Sequence, residues 1–422
     1  MRAVLCAIGS RGDVQPMLAF AIALRASGHE VTLCAPVNFR ELVTGQGIAF
    51  VPVGEDIQAY LGARRHIVGK SPLRMLGLLR EWAEGHVHTQ VMQLTAACAE
   101  ADVLVGTGIL AAGPTAAEVH GIPYVSTVYC PALMPNTSYP PVLVPWQGLA
   151  PWLNHLLWKG HDASLGVLLL GPLNEARRHV GLTEVDDATS HLADVDALWL
   201  AADAEIAPPV GRRAPTPMGY WFHDDPTPLD ADIEAFLKAG PPPVYVGFGS
   251  MVESDVRHVS ETVYHAVRSN GHRLLLSAGW AGLSHPNPSD RACMVIGATP
   301  HHQLFPRLAA VVHHGGAGTT ASTLRAGVPQ VLVPHLLDQF FWGERLRRLA
   351  LAPAAVPMEE LTVARLGDAL GLALDDPKLA GPRARAAARL RGSRGVLAAV
   401  TALERLVERL AHRRRRRAVL AS

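Results

Sequence analysis

Apolar residues in the first part of the chain occur in short runs separated by stretches of helical periodicity. Residues 3–8 form a continuous apolar run of strand length, and apolar side chains then recur at helical spacing over 17–24. Further strands are predicted at 31–34 and 49–53, with a helix at 39–46 between them. This alternation predicts one half of a doubly wound α/β sheet.

The alternation continues farther along the chain. The rest of the first pattern is a strand at 103–106, a helix near 111–119 and a strand at 124–128. A second pattern has these segments: strand 244–248, helix 256–269, strand 273–277, strand 308–312, helix 321–326 and strand 330–333. The two patterns predict an α/β protein with two Rossmann-like domains, as a length of 422 residues also suggests.

Proline marks the boundary between the two patterns, because six prolines fall between Pro208 and Pro228. The expected divisions are an N-terminal domain at 1–210, a linker at 211–242, a C-terminal domain at 243–384 and a final segment at 385–422.

The final segment is rich in Ala, Leu and Arg, which predicts helix over 385–411 with an interruption near 392–395. Five arginines at 413–417 follow it. We expect them to form a solvated, disordered tail, although such a cluster can also bind anionic lipid.

A segment rich in proline, tryptophan and leucine lies between the first α/β pattern and the linker. Prolines and aromatic residues dominate 131–148, and Trp152 and Trp158 belong to an apolar, helix-like stretch after it. Two interpretations stay open: the stretch packs in the core, or it forms the wall of an apolar acceptor pocket.

Composition narrows the class of protein. A net charge of +1 gives no reason to expect nucleic acid as a partner. Five scattered cysteines without C-x-x-C spacing indicate reduced thiols in a cytoplasmic protein. The short apolar run at the N-terminus does not have the form of a secretory signal, and no apolar run reaches the roughly 18 residues of a membrane span. Only peripheral contact with a membrane is left open.

A glycine-rich motif follows one of the predicted strands. Residues 313–320 are His-His-Gly-Gly-Ala-Gly-Thr-Thr, and a helix-like segment comes after them. The free N–H groups of a helix start attract anions, and glycines let a phosphate approach the backbone. One strand later, Asp338 and Gln339 offer a carboxylate and an amide that suit vicinal hydroxyls. Both turns lie at the carboxyl ends of parallel strands, so together they predict a nucleotide-sugar site.

These residues resemble the donor-site signature of the family 1 glycosyltransferases. The vancomycin-type natural-product enzymes and the sterol glucosyltransferases are most similar, and the sterol enzymes share the string Asp-Gln-Phe-Phe-Trp-Gly found here at 338–343. The resemblance covers most of the chain and is weakest over about 55–100 and 135–210. It implies the GT-B fold, in which two Rossmann-like domains face each other across a cleft and the last helix crosses back to the N-terminal domain. It also implies that the N-terminal domain binds the acceptor and that the C-terminal domain binds the nucleotide-sugar.

The resemblance also implies a role for each residue of the site. Asp13, on the first strand-to-helix turn, corresponds to the catalytic base of the vancomycin-type and sterol enzymes. Contacts to the donor diphosphate are implied for Ser10, Arg11, Ser250, His314, Gly316, Gly318 and Thr319, contacts to the nucleobase for His301 and Ile296, and contacts to the sugar for Asp338 and Gln339. Because His301 stands where the family commonly has glutamine, the choice between uridine and thymidine stays open.

Several of these residues also have structural interpretations. Asp13 is a normal residue at a helix N-cap, and Ser250 is a normal turn serine. His313 and His314 are adjacent at a strand end, so their side chains face opposite ways and only one of them can readily point into the site.

The expected chemistry is a displacement at the sugar. No Asp-x-Asp motif stands at a strand end, so helix N–H groups and His314 would neutralise the leaving diphosphate without a metal. Asp13 would accept the proton as the acceptor oxygen bonds to carbon. We therefore expect an inverting transferase without cofactors that moves a hexose from a UDP- or TDP-sugar to a hydroxyl of an apolar natural product, sterol or lipid.

Two other functions are open. A catalytically silent, auxiliary nucleotide-sugar-binding protein is disfavoured because the donor motif is intact, and an epimerase is disfavoured by the bulky apolar middle of the N-terminal half. The first turn does not complete G-x-G-x-x-G, which argues against a dinucleotide-dependent oxidoreductase.

Overall fold

The computed structural model describes residues 1–56, 59–60, 63, 72–251 and 255–421, with side chains for all of these except 72–76, 79 and 414–421. Two parallel sheets form its framework. The first contains β1 Arg2–Cys6, β2 Glu30–Ala35, β3 Ala49–Pro52, β4 Val103–Thr107, β5 Tyr124–Val128, β6 Ala197–Leu200 and β7 Thr216–Pro217. The second contains β8 Val244–Gly247, β9 Leu274–Ser277, β10 Cys293–Ile296, β11 Ala310–His313 and β12 Gln330–Leu332.

Both sheets have the order expected of doubly wound domains. Strands run β3-β2-β1-β4-β5-β6-β7 in the first sheet and β10-β9-β8-β11-β12 in the second. The order therefore reverses beside β1 in one sheet and beside β8 in the other, and ligands of open α/β sheets bind outside the carboxyl ends of strands at such points. The GT-B layout predicted for the chain is confirmed.

Helices cover both faces of the sheets, which explains why the strands are nearly continuous apolar runs. Those of the first half are α1 Arg11–Ala26, α2 Arg40–Thr44, α3 Pro72–Ala97, α4 Ala112–His120, α5 Pro151–His179 and α6 Ala188–Ala193. Those of the second half are α7 Ala231–Lys238, α8 Val256–Ser269, α9 His301–Leu304, α10 Ala317–Ala326, α11 Gln339–Arg348, α12 Val363–Asp375, α13 Pro377–Arg391 and α14 Gly395–Ala421.

The helix after the glycine-rich motif begins earlier than expected. We placed it at 321–326, whereas α10 begins at Ala317 because Gly316 already has the extended conformation of an N-cap residue, with φ −63° and ψ 145°. Gly318, Thr319 and Thr320 therefore lie in the first turn of the helix, whereas Gly315 and Gly316 form the turn before it.

A short strand and a helix lie within the range 211–242 that proline content marked as a linker. Strand β7 extends the first sheet by pairing Thr216 with Trp199 of β6. Helix α7 packs Ile233 and Leu237 into the core beneath the second sheet. Proline density here marks short, edge-like elements as well as connecting chain.

The last helix lies on the N-terminal domain. Helix α13 ends at Gly392 and α14 begins at Gly395. Leu403 and Leu406 of α14 pack into the same core as Phe20 of α1. Helix α14 continues to Ala421, so the expectation of a disordered arginine tail is wrong.

The apolar segment after β5 divides into a buried part and an exposed part. Trp158 is buried, and its indole N–H donates to the carbonyl of Tyr139 over 2.9 Å. Trp152 and Leu156, on another face of α5, are exposed. Tyr139 itself packs edge-on against Phe341 of the C-terminal domain, with ring centroids 4.8 Å apart.

All five cysteines are buried and none forms a disulfide. No helix in the described part of the chain is both long enough and apolar enough to cross a bilayer.

Candidate active site

The start of α10 is an uncapped helix terminus. The turn before it needs a positive φ of 91° at Gly315, and no side chain bonds to the helix start at Gly316. Because the first N–H groups of a helix have no partner within it, those of Ala317, Gly318 and Thr319 remain available. Among the described residues, a Cβ at Gly318 would meet no atom within 4 Å, so no described side chain covers this helix start. The structure therefore offers an anion site here.

The ring of His314 is held between two glycines at this site. A Cβ added to Gly316 would lie 2.5 Å from the ring's Nε2, and one added to Gly249 would lie 3.0 Å from Cε1. Burial, together with neighbouring histidines, holds the pKa of His314 well below its usual value. The imidazole is therefore neutral near neutral pH and can donate one N–H to an oxyanion.

His313 points away from the site, in agreement with the expectation that only one histidine can face it. Its Nε2 lies 2.9 Å from Oε1 of Gln330, and its Nδ1 accepts the Gly315 N–H over 3.1 Å. Burial lowers the pKa of His313 to about 4. His313 is therefore a neutral core residue that fixes the shape of the glycine turn.

The loop after β12 is shaped by Gln339. The amide oxygen of this buried side chain accepts the N–H groups of His335, at 2.7 Å, and Leu336, at 3.1 Å. Its amide nitrogen lies 3.2 Å from Sδ of Met251. The oxygen is thus engaged by the loop itself, and the amide nitrogen is the part of Gln339 left to contact a sugar.

Asp338 carries a perturbed carboxylate at the start of α11. Its Oδ2 accepts the Trp342 indole N–H over 2.9 Å. Burial, with the negative charge of Asp13 adding to it, raises the pKa of Asp338 to about 6. The carboxylates of Asp13 and Asp338 therefore interact across the space between the two domains.

Asp13 is not the N-cap of α1, which corrects its structural interpretation. Ser10 is the N-cap, and Asp13 is the third helical residue of a capping box. Oδ2 of Asp13 accepts the Ser10 N–H over 2.8 Å, while Oδ1 accepts no hydrogen bond from another described residue. Burial raises the pKa of this carboxyl above its usual value. One oxygen thus holds the helix start and the other can accept a proton.

The other N-terminal candidates lie on the same turn. The Ser10 hydroxyl accepts the Gly12 N–H over 3.3 Å. Arg11 is exposed, and its positive charge helps to lower the pKa values of His301 and His223. Arg11 therefore lies near the predicted nucleobase end of the site.

At that end, the structure places the side chains of His301 and Ile296 differently. The His301 ring stacks on Phe305 with centroids 4.2 Å apart, and burial lowers its pKa to about 3. Ile296 is only 4% exposed and its side chain packs in the core with Leu304, so that only its backbone is left to contact a base. The nucleobase contacts of both residues stay predictions.

Ser250 follows a glycine with φ of 61° in the turn after β8. Its hydroxyl forms no hydrogen bond with any described residue. Both the turn-serine and the phosphate-binding interpretations therefore stay open.

Comparisons with known proteins decide the family. Residues 3–137 match the glycosyltransferase family 28 N-terminal domain, and residues 289–394 match the erythromycin biosynthesis protein CIII-like C-terminal domain. Glycosyltransferase GtfE of Amycolatopsis orientalis is 38% identical over 363 residues, covering 84% of this chain and 86% of its own. The chain belongs to the GT-B glycosyltransferase family.

Further relatives confirm both branches of the resemblance. The vancomycin aglycone glucosyltransferase of A. orientalis is 36% identical, covering 84% of this glycosyltransferase and 86% of its own chain. Sterol 3-beta-glucosyltransferase UGT80B1 of Arabidopsis thaliana is 29% identical, and the alignment covers 96% of this glycosyltransferase and 68% of the sterol enzyme. The solved structure of glycosyltransferase VinC in complex with dTDP has the same fold, with a TM-score of 0.71, 21% identity and coverage of 97% and 100%.

Sequence reasoning missed two residues beside the site. The Trp280 N–H donates to the carbonyl of Gly249 over 3.0 Å, and its ring lies 6.3 Å from that of Phe39 in the N-terminal domain. The Nε2 atom of His223 is buried without a partner among the described residues. Gly279, just before Trp280, could have indicated a close backbone approach, since a Cβ on Gly279 would lie 2.8 Å from the Gly249 carbonyl oxygen. Nothing in the sequence marked His223 as a site residue.

Proposed function

We propose that this glycosyltransferase moves a hexose from a UDP- or TDP-sugar to a hydroxyl of an apolar acceptor, with inversion at the anomeric carbon and without a metal or other cofactor. The observation that carries the proposal is the pairing of an uncapped helix start, beside His314, with a half-engaged Asp13 carboxylate on the other domain. The helix start suits a leaving diphosphate, and the carboxylate suits an attacking hydroxyl.

In the proposed reaction, Oδ1 of Asp13 accepts the proton of the acceptor hydroxyl. The acceptor oxygen forms a bond to the anomeric carbon from the face opposite the diphosphate, and a single displacement of this kind inverts that carbon. The bond from the anomeric carbon to the diphosphate oxygen breaks, and its electron pair stays on the diphosphate. The N–H groups at the start of α10 and the neutral imidazole of His314 stabilise that charge.

Asp338 is proposed to bind hydroxyls of the hexose. Its Oδ1 is not used by Trp342, and a carboxylate is a strong acceptor for sugar hydroxyls. The amide nitrogen of Gln339 is the second proposed sugar contact. These two contacts would orient the anomeric carbon toward Asp13.

The acceptor class rests on the relatives. Their names specify a vancomycin aglycone and a sterol. We propose the same class here, an antibiotic or polyketide aglycone, a sterol or another lipid.

The test is a screen of UDP- and TDP-hexoses against apolar hydroxylated acceptors, with products identified by mass spectrometry and nuclear magnetic resonance. We expect a conjugate of inverted anomeric configuration whose yield is unchanged by EDTA. Retention of configuration, or loss of transfer on chelation with recovery on added metal, would contradict the mechanism. Donor hydrolysis without acceptor distinguishes an enzyme from a silent binder, which would show none.

A further inference from the structure

A tyrosine of the first sheet bonds to the residue proposed as the base. Tyr129 comes directly after β5, and its hydroxyl donates to the backbone carbonyl oxygen of Asp13 over 3.1 Å. The two residues are 116 positions apart in the chain. This hydrogen bond therefore joins the end of one strand to the first turn of α1.

The bond crosses the carboxyl end of β4. In the first sheet, β4 lies between β5 and β1, and β1 is the strand that leads into α1. Two strand spacings of about 4.8 Å each thus separate β5 from β1. The ring of Tyr129 packs against the core that Leu5 of β1 and Phe20 of α1 share. Because the ring has this apolar contact, it keeps its place when only the hydroxyl is removed.

The first turn of α1 has fewer helical bonds than usual, because Pro16 lies inside the helix. Proline has no N–H, so the carbonyl of Gly12 lacks its partner from the next turn. The capping box joins Asp13 only to Ser10, within the same turn. The box therefore fixes the Asp13 carboxylate relative to its own turn, and the Tyr129 bond fixes that turn relative to the sheet.

The hydroxyl of Tyr129 is a donor and not a second base. Burial, with the negative charge of Asp13 adding to it, raises the pKa of Tyr129 well above its usual value, and a hydrogen bond with the buried Thr107 side chain opposes the shift. The phenol therefore keeps its proton near neutral pH. It donates to the Asp13 main chain and leaves the acceptance of a proton to the Asp13 carboxylate.

We propose that Tyr129 is a positioning residue for the base, which it holds by the main chain so that Oδ1 of Asp13 faces the attacking hydroxyl. The inference rests on the proposed function, in which Asp13 accepts the proton of that hydroxyl. Oδ2 is already bonded to the Ser10 N–H, so the direction of Oδ1 depends on where the backbone of the turn lies. A displacement of about 1 Å in a reacting group can cost on the order of 100-fold in rate.

The test variant is Tyr129→Phe, which removes the hydroxyl and keeps the ring. The matched control is Tyr264→Phe, because the Tyr264 hydroxyl on α8 donates to Oδ2 of Asp290 over 2.9 Å, in the other domain. Turnover is measured as transfer to the acceptor found in the screen. It is also measured as hydrolysis of TDP-glucose, in which Asp13 would accept the proton of water. TDP affinity is measured by calorimetry, and melting temperature shows that each protein is folded.

We expect both phenylalanine variants to lose similar thermal stability and to keep the TDP affinity of the wild type. Only Tyr129→Phe should lower kcat, by about tenfold or more. Equal kcat in the two variants would overturn the inference. A loss of TDP affinity as large as the loss of kcat would also overturn it, because that result would show a general disturbance of the structure and not a displaced base.

A double variant shows whether Tyr129 acts through Asp13. In the Asp13→Asn background, Tyr129→Phe should lower the residual kcat by less than about twofold, because the group that it positions is already lost. A full second loss would place the effect of Tyr129 elsewhere and overturn the inference. Near-normal kcat in Asp13→Asn alone would overturn the base role and the inference together. Impaired Asp13→Asn with unimpaired Tyr129→Phe would overturn the inference alone and leave the proposed function standing.

Discussion

The two domains each present a strand, a turn and a helix start at the site, but they treat the helix start in opposite ways. At α1, Ser10 accepts the Gly12 N–H and Asp13 accepts the Ser10 N–H, so protein side chains satisfy the terminus. At α10, glycine occupies the N-cap and no side chain bonds to the terminus. The same local structure therefore yields a self-capped turn in one domain and an open anion site in the other.

The difference assigns the chemistry. The terminus of α10 offers its first N–H groups to an external diphosphate, whereas at α1 side chains already accept the Ser10 and Gly12 N–H groups. What the capped turn offers instead is a carboxylate that its own cap holds in place, with Oδ1 of Asp13 left unused. The proposed leaving-group and base functions thus follow from which helix is capped.

The largest expected effect is on turnover when the base is removed. Asp13→Asn should lower kcat by about 100- to 10,000-fold, because an amide cannot accept the acceptor's proton. TDP affinity, measured by calorimetry, should change little. Asp187→Asn is the matched control, because Asp187 caps α6 by accepting the N–H groups of Thr189 and Ser190. Near-normal turnover in Asp13→Asn would remove Asp13 from the base role.

Closing the open terminus should mainly reduce donor affinity. Gly316→Ala places a methyl group 2.5 Å from Nε2 of His314 and must displace the ring. We expect TDP affinity to fall by about tenfold or more, the loss of a hydrogen bond to a charged group. The measurement is calorimetric titration of TDP.

Two further glycines sharpen this prediction. In Gly318→Ala the new Cβ meets no described protein atom within 4 Å, so the melting temperature should stay unchanged. The affinity for TDP should fall, because a bound phosphate would occupy the space that the methyl group takes. Gly171→Ala, an equally open position on α5, should leave TDP affinity unchanged and slightly raise the melting temperature, because alanine is a better helix former than glycine. Equal TDP affinity in all three variants would refute the anion site at α10.

Much of this comparison could be predicted from the sequence, because it depends on local patterns. Apolar runs predicted nine of the twelve strands and missed β6, β7 and β10. The glycine turn at 313–320 predicted an anion site, which stays a prediction. The resemblance identified Asp13 as the base candidate. It did not predict that Asp13 is the third helical residue of a capping box, because an acidic residue near a helix start can be either the N-cap or the third helical residue.

What escaped prediction depends on packing between distant segments. Ile296 lies at a strand end like other site residues, yet its side chain turns into the core that Leu304 and Phe305 complete. The Gln339 side chain turns back onto its own loop because the N–H groups of His335 and Leu336 need an acceptor. Neither orientation is encoded in the spacing of the motif.

Two substitutions test the interaction between the two carboxylates. The negative charge of Asp13 contributes to the raised pKa of Asp338, so Asp13→Asn should move the titration of the Asp338 carboxyl, followed by nuclear magnetic resonance, to lower pH. A titration that does not move would show that the two carboxylates act independently. Asp338→Asn should lower turnover by about 10- to 100-fold, since a charged sugar contact is lost.

The same substitution should change stability in a pH-dependent way. Burial raises the pKa of Asp338 to about 6, so the folded state binds that proton more tightly than the unfolded chain, whose Asp pKa is about 4. Ionisation therefore opposes folding as pH rises from about 4 to about 6. The Asn variant should melt at a higher temperature than the wild type near neutral pH, and the gap should shrink in acid.

The smallest expected effect is on the cap of α1 itself. Ser10→Ala should lower the free energy of unfolding by about 1 kcal/mol, because the N-cap hydroxyl is lost. Thr362→Ala is the matched control, since the Thr362 hydroxyl caps α12 by accepting the Arg365 N–H over 3.2 Å. Both variants should lose similar stability in denaturant titrations, but only Ser10→Ala should also lower kcat, by a few-fold, because the box that orients Asp13 is weakened. Equal kcat in the two variants would show that Asp13 is held by the backbone of its turn and not by the serine hydroxyl.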